Sequence, residues 1–209
     1  NMSILEQIGS NIFVKDFDFN KYKLDINQSN LKKSILKKYN DFIKINEEKN
    51  FLFIDKSLEN FFNIEIILNI FPNAKFLHTY RNSIDATISI YQSMLRELSW
   101  THKIEDILYY IDKYINVTNY FKLKYPNKIM NIDLEQLTLD TENIGKEIFK
   151  FCDLKWKKNV LEFYKRKDLH SKTSSFNQIR NKVSKYDTKK YQPYFYGHQN
   201  ITIIVSFWL

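Results

Sequence analysis

The stretch KFLHTYRNSIDATISIY, residues 75–91, changes its pattern at Arg81 and thereby indicates how this part of the chain folds. Its first six residues are mostly aromatic or β-branched, which is typical of a strand, whereas the residues from Ser83 onward have helical spacing. Asn82 is placed to cap this helix, and Asp85 is placed to complete a capping box. The stretch therefore predicts a strand that passes directly into a helix, with Arg81 at the junction.

The predicted helix runs from Ser83 to about Leu95 and has two different faces. Its apolar stripe is expected to face the core and consists of Ile84, Ile88, Tyr91 and Leu95. A second stripe of small and polar residues comprises Asn82, Ala86, Ser89 and Ser93. Arg81 and Ser89 suit a bound anion, because a guanidinium fork and a hydroxyl both donate to phosphate oxygens near a helix start. Alternatively, Arg81 pairs with Asp85 and Ser89 only permits close packing; the spacing favours neither interpretation.

The flanking sequence places this junction in an α/β sheet. FLFID, residues 51–55, is a short apolar run of the buried-strand type, and a helical pattern capped by Ser57 separates it from the strand at 75–80. Strand, helix and strand in this order form a βαβ unit with parallel pairing. The pattern then continues with a helix at 104–123, a strand at 128–135, a helix capped by Asp140 and a short helix at 160–166. We therefore expect a central parallel sheet flanked by helices.

The composition of the chain limits the classes of protein and of partner that are possible. The 209 residues suffice for a single domain, and 44% hydrophobic with 16% aromatic residues argues against disorder. The net charge of +8 suits an anionic partner, but the Lys- and Asn-rich composition of AT-rich coding explains it equally well. A lone Cys152 excludes an internal disulfide and favours a reducing compartment, the cytoplasm. We predict no membrane span and no metal site, since long apolar runs and metal-binding motifs are both lacking.

Four ordered pieces of the chain together resemble the sulfotransferase family, above all its bacterial and tyrosylprotein-sulfotransferase-like branch. The family has a D-K-x-x-x-N stretch, then F-P-N-A-K, R-x-x-x-D-x-x-x-S and T-x-S-x-x-Q-V-R. The matching positions here are Asp55, Lys56 and Asn60; Phe71 to Lys75; Arg81, Asp85 and Ser89; and Thr173, Ser175, Gln178 and Arg180. The likeness covers residues 50–190, with a divergent part before it and an unassigned tail at 191–209.

The resemblance implies transfer of a sulfuryl group from 3′-phosphoadenosine-5′-phosphosulfate (PAPS) to a hydroxyl or amine, on a fold like that of the P-loop NTPases. It assigns Arg81 and Ser89 to the 3′-phosphate, with Ser175 and Arg180 closing over the same cofactor. It also assigns Lys56 to the sulfuryl group, where a cation offsets the charge that develops on the bridging oxygen. The acceptor is expected to be a small molecule, a glycan or a protein, and no nucleic acid is expected.

Three departures from the family pattern accompany this resemblance. The R/K-x-G-T-T turn that binds the phosphosulfate does not occur, so we expect a chain that lacks the first strand and this loop. The glutamate that serves the branch as general base has no match, which leaves Asp18, or else Asp16, as the candidate. The family's Tyr-Glu pair after a later strand reads Leu134-Glu135 here.

Two other functions compete with this hypothesis. A nucleotide kinase of the P-loop class shares the predicted architecture but requires G-x-x-x-x-G-K-[ST], which the sequence does not contain. A truncated or inactive copy would instead be a non-catalytic nucleotide-binding protein.

Overall fold

The computed structural model of the chain describes residues 54–56, 58–96, 98–166 and 180–194, together with Lys33 and Lys37. The chain divides into two compact units, residues 1–74 and residues 75–209, and its organisation as a single domain stays a prediction. In the described ranges no helix is both long and apolar enough to cross a bilayer.

The first unit contains a 3₁₀-helix at Leu58–Phe62 and helix α1 at Ile64–Ile70. Three isoleucines of α1 are at most 8% exposed: Ile64, Ile66 and Ile70. The predicted strand at 51–55 is not seen in its last two residues, Ile54 and Asp55, which lie in no regular element. Its other residues and the predicted cap Ser57 are outside the described residues.

The second unit is built on two parallel strands, β1 at Phe76–Tyr80 and β2 at Ile129–Asp133. Phe76 pairs with Ile129, and Tyr80 pairs with Asp133. The parallel pairing with flanking helices confirms the predicted α/β class. Because the strands run in the same direction, their carboxyl ends meet at one edge of the sheet, which is where open α/β sheets bind ligands.

Five further helical segments follow β1. They are α2 (Ser83–Ser93), a 3₁₀-helix (Ser99–His102), α3 (Ile104–Lys124), α4 (Leu134–Leu139) and α5 (Thr141–Phe151). Two 3₁₀-helices, Lys158–Lys165 and Gln192–Tyr194, complete the described part. Asn82 confirms the predicted cap of α2, since its Oδ1 accepts from the N–H groups of Ile84 and Asp85 at 2.9 and 3.2 Å.

Strand β2 ends two residues before the predicted position, because Asp133 caps a helix that the sequence analysis did not find. Its Oδ1 accepts hydrogen bonds from the backbone N–H groups of Glu135 (2.8 Å) and Gln136 (3.2 Å). The Asp-x-x-Gln pattern at these positions is a recognisable helix-start signal. Leu134, which stands where the family has the tyrosine of its Tyr-Glu pair, is therefore the first residue of α4 and not the end of a strand.

Among the described residues of the second unit, helix α3 supplies most of the buried apolar side chains. Ile107, Val117 and Phe121 are at most 1% exposed, and Ile132 of β2 is 3% exposed. The predicted core stripe of α2 is wrong: Ile84 and Ile88 are only half-buried, and Tyr91 and Leu95 are each 42% exposed. The residues that α2 buries are polar, Asp85 and Thr87. Asp85 is held by a tertiary hydrogen bond from Tyr186, whereas the Thr87 hydroxyl donates to Ser83 within the helix itself.

His78 links the sheet to α3. Its Nδ1 lies 2.9 Å from Oδ1 of Asn131, its register partner on β2, and its Nε2 contacts the Tyr114 hydroxyl. The amide oxygen only accepts, so Nδ1 carries the proton and Nε2 accepts from the phenol. Burial lowers the pKa of His78 below its ordinary value of 6.5, although the Asn131 bond opposes this shift. These contacts give His78 a structural role between the two strands and α3.

Candidate anion-binding site

The site predicted around Arg81 and Ser89 lies where β1 passes into α2. Arg81 is the first residue after the strand, and Asn82 then caps the helix. Asp85 and Ser89 are four residues apart, a spacing that places them on one face of α2, and Arg81 lies just before the cap of this helix. The face begins at the carboxyl edge of the sheet and continues two turns along the helix.

Asp85 is the buried member of this face, at 6% exposure. Its Oδ2 accepts a hydrogen bond of 2.7 Å from the Tyr186 hydroxyl, instead of reaching back to complete the predicted capping box. The Arg81 guanidinium acts on the same phenol by lowering its pKa, against the larger effects of burial and Asp85. Among the described residues no ion pair joins Arg81 to Asp85, so the direct pairing considered from the sequence is absent.

Tyr186 is also held by its backbone. Its N–H donates to Oγ1 of Thr138 at 2.9 Å, and Thr138 belongs to α4, the helix that follows β2. Its side chain reaches α2, the helix that follows β1. Tyr186 therefore joins the two elements that leave the sheet at its carboxyl edge, and it brings the segment 180–194 across that edge.

Tyr191 adds a second phenol to the same face. It is 3% exposed, and the Ser89 and Arg81 side chains both lower the pKa of its hydroxyl. The Lys190 ammonium lies 5.0 Å from the centroid of its ring.

The two tyrosines experience opposite electrostatic environments. Burial, followed by the hydrogen bond to Asp85, raises the pKa of Tyr186 to about 12. At Tyr191 the Ser89 side chain is the largest influence and, with Lys190 and Arg81, lowers the pKa although burial opposes it. The surroundings therefore disfavour the charged form of Tyr186 and favour that of Tyr191.

The remaining predicted site residues are Arg180, Lys56, Ser175 and Asp18. Arg180 donates from Nη1 to the carbonyl oxygen of Arg166 at 3.2 Å. Lys56 is exposed and belongs to the first unit. Ser175 and Asp18 are outside the described residues. The roles of all four stay predictions.

Sequence reasoning missed Tyr186 and Tyr191, because no local motif marks either residue. The only signal is their position shortly after the family-like T-S-S-F-N-Q-I-R segment, and 14 tyrosines in the chain make that signal weak. A search of the described residues finds no group of His, Cys, Asp and Glu side chains that would hold a metal ion.

Comparison with known proteins gives the class of this chain. A sequence profile of the sulfotransferase family matches residues 15–158, which is more than half of the chain. An uncharacterized protein of Aquifex aeolicus (strain VF5) is 32% identical over 145 residues, which cover 68% of this chain and 19% of that relative. The chain belongs to the sulfotransferase family, and this membership supports a sulfotransfer-type function. The matched profile ends before Arg180, Tyr186 and Tyr191.

Proposed function

We propose that this chain acts in transfer of a sulfuryl group from PAPS to a hydroxyl or amine acceptor, and that Arg81 and Ser89 bind the 3′-phosphate of PAPS. The observation that carries the proposal is the position of Arg81 directly after β1, at the carboxyl edge of the parallel sheet, with Ser89 on the helix α2 that follows. Family membership supplies the chemistry, and this position supplies a site suited to an anion.

Side chains, rather than the helix backbone, would recognise the phosphate here. Asn82 already accepts from two of the first N–H groups of α2, those of Ile84 and Asp85. The Arg81 guanidinium offers a planar set of donors that fits two phosphate oxygens, and Ser89 offers a hydroxyl. The α2 dipole adds a smaller favourable contribution for an anion near its N-terminus. The residues present therefore fit a phosphate monoester.

The transfer itself would exchange one bond for another at sulfur. The acceptor oxygen or nitrogen forms a bond to sulfur while the bond from sulfur to the bridging oxygen breaks, and that oxygen leaves with the electron pair on adenosine 3′,5′-bisphosphate. Lys56 would offset this charge, and Asp18 would take the proton of the acceptor. Ser175 and Arg180 would add contacts to the cofactor.

Calorimetric titration of the chain with adenosine 3′,5′-bisphosphate and with adenosine 5′-monophosphate tests the phosphate site. The bisphosphate should bind more tightly, and Arg81→Ala should remove about 1.5–3 kcal/mol of that preference, the usual worth of a hydrogen bond to a charged group. Arg96→Ala is the matched control, since Arg96 is exposed just beyond α2. Equal affinities for the two nucleotides, or an unchanged Arg81→Ala variant, would contradict the proposal.

The transfer step needs a separate assay, with PAPS and a panel of hydroxyl and amine acceptors. Lys56→Ala should lower the transfer rate and leave bisphosphate binding unchanged, whereas Lys155→Ala, a substitution of another exposed lysine, should alter neither. Bisphosphate binding without transfer to any acceptor would favour the alternative of a non-catalytic nucleotide-binding protein.

A further inference from the structure

Asp85 is the residue with which Arg81 could form an ion pair in place of binding an anion. Arg81 directly precedes the cap of α2, and Asp85 is the third residue after that cap, a position from which a carboxylate can reach back towards the helix start. An arginine paired with this carboxylate would have its charge offset and its donors occupied. The proposed phosphate site therefore requires that another group holds Asp85.

In the structure that group is the Tyr186 hydroxyl. It donates to Oδ2 of Asp85 at 2.7 Å, a distance typical of a strong hydrogen bond to a carboxylate, and Asp85 is only 6% exposed. Among the described residues this hydroxyl is the only donor to the Asp85 side chain, and no ion pair joins that side chain to Arg81. The backbone N–H of Tyr186 donates to Thr138 at 2.9 Å, so Tyr186 is held in place independently of Asp85.

We propose that Tyr186 is a positioning residue of the phosphate site: its hydroxyl keeps the Asp85 carboxylate from pairing with Arg81, and so leaves the guanidinium available for the 3′-phosphate. This inference rests on the proposed function. It assigns the phenol no contact with the nucleotide, because Tyr186 acts only as the competing partner of Asp85.

The physical basis of the proposal is the cost of a buried charge that lacks a partner. Without the Tyr186 hydroxyl, the Asp85 carboxylate would be almost fully buried and without this donor, which is strongly unfavourable. Arg81 is the cation nearest to Asp85 in the sequence. We therefore expect a new ion pair between the two residues, and this pair competes with phosphate for the same guanidinium donors.

The competing interpretation is that Tyr186 only fastens the segment 180–194 to α2. The hydroxyl would then be needed for the position of the segment, whatever the charge at position 85. Under the proposal the hydroxyl is needed only while position 85 carries a carboxylate. The two interpretations therefore predict different results for Tyr186→Phe in an Asp85→Asn background.

Calorimetric titration with adenosine 3′,5′-bisphosphate and with adenosine 5′-monophosphate distinguishes them. Tyr186→Phe should bind the bisphosphate about tenfold more weakly and the monophosphate as before, because only the first carries the 3′-phosphate. In the Asp85→Asn background the same change should alter the bisphosphate affinity by less than about twofold. Tyr194→Phe is the matched control, since Tyr194 is in the same segment and 51% exposed, and it should bind both nucleotides as the wild type does.

Circular dichroism without nucleotide shows whether each variant is folded. A folded Tyr186→Phe chain with unchanged bisphosphate affinity, or an equal loss in the Asp85→Asn background, would overturn the inference alone. If the single variant does not fold, the double variant decides, because it has no buried carboxylate. Bisphosphate affinity equal to or above that of the wild type then supports the inference, and a loss of about tenfold overturns it. If the wild type does not prefer the bisphosphate, the proposed function itself fails.

Discussion

The Tyr186 hydroxyl donates a 2.7 Å hydrogen bond to the Asp85 carboxylate, although 101 positions separate the two residues in the chain. The carboxylate is almost fully buried, so its charge depends on the donors that surround it. Asp85 raises the pKa of the Tyr186 phenol and Arg81 lowers it, so both charged residues at the start of α2 act on Tyr186. The architecture of the candidate site therefore depends on a segment remote in sequence.

Replacing Tyr186 with Phe should destabilise the chain. The substitution preserves the ring and leaves the buried Asp85 carboxylate without this donor, so we expect a loss of about 1.5–3 kcal/mol in the free energy of unfolding. Urea denaturation followed by circular dichroism measures this loss.

Two further variants identify the cause of the stability loss in Tyr186→Phe. Tyr109→Phe, at a position 61% exposed on α3, should change stability little. In an Asp85→Asn background the same Tyr186→Phe change should cost less, because the partner is no longer a charge. Equal costs in both backgrounds would mean that Tyr186 stabilises by packing alone.

The free energy of unfolding should decrease at alkaline pH, because of the proton equilibrium of Tyr186. The pKa of Tyr186 is raised to about 12, so the folded chain keeps a proton that the unfolded chain releases near its ordinary value of 10. The resulting stabilisation is complete below pH 10 and is lost as the pH rises towards 12. Denaturant unfolding across this range should give a shallower decline for Tyr186→Phe than for the wild type. An identical decline would show that Tyr186 does not retain its proton on folding.

The free energy of unfolding should also decrease at acidic pH, because of the proton equilibrium of His78. The folded state depresses the pKa of this imidazole below 6.5, so the unfolded chain binds a proton first as the pH decreases. The contribution is present above pH 6.5 and is lost as the pH falls through the folded pKa. His78→Phe should flatten this part of the stability profile, whereas His102→Asn, at an exposed position, should leave it intact. A profile unchanged by His78→Phe would contradict the assignment.

Whether a substitution of Gly145 stabilises or destabilises the chain depends on one neighbouring residue, Trp156. A Cβ at this position in α5 would lie 2.9 Å from the Trp156 ring, which itself packs edge-on against Phe149 at 5.0 Å. Gly145→Ala should therefore destabilise by about 1 kcal/mol, in spite of the better helix propensity of alanine.

The control is the same substitution in a Trp156→Phe background. Phenylalanine does not reach the Cβ position, so the gain in helix propensity should now prevail and stabilise by up to about 1 kcal/mol. Chemical denaturation of the four chains gives both values. Stabilisation by Gly145→Ala with Trp156 in place would show that the ring moves aside freely.

Features with local causes were predicted well from the sequence. The strand at 76–80 and the Asn82 cap follow from neighbouring residues, and so does the Asp140 cap of α5, whose carboxylate accepts from the N–H of Asn143 at 3.3 Å. The apolar stripe of α2 was wrong, because helical spacing identifies a face but not whether that face or a polar one is buried. Asp85 is buried through a partner that spacing within α2 does not reveal.

The candidate site was only partly predicted, because some of its residues are remote from one another in the sequence. Arg81 lies just before α2 and Ser89 lies within it, at a recognisable spacing in the sequence. Tyr186 and Tyr191 meet them only through tertiary structure, and no motif of the segment 180–194 reports that contact. Sequence reasoning thus found the half of the cluster that lies on α2 and missed the half that packs against it.

The long separation between Asp85 and Tyr186 has a consequence for the order in which the molecule is assembled. Strand β1 pairs only after β2 has been synthesised, since His78 and Asn131 are 53 positions apart in the chain. Tyr186 and Tyr191 are synthesised later still. At synthesis rates of about 5–20 residues per second, Asp85 leaves the ribosome's active centre roughly 5–20 s before Tyr186 is added. Throughout that interval the polar face of α2 lacks its covering phenols, so it is among the last parts of the second unit to mature.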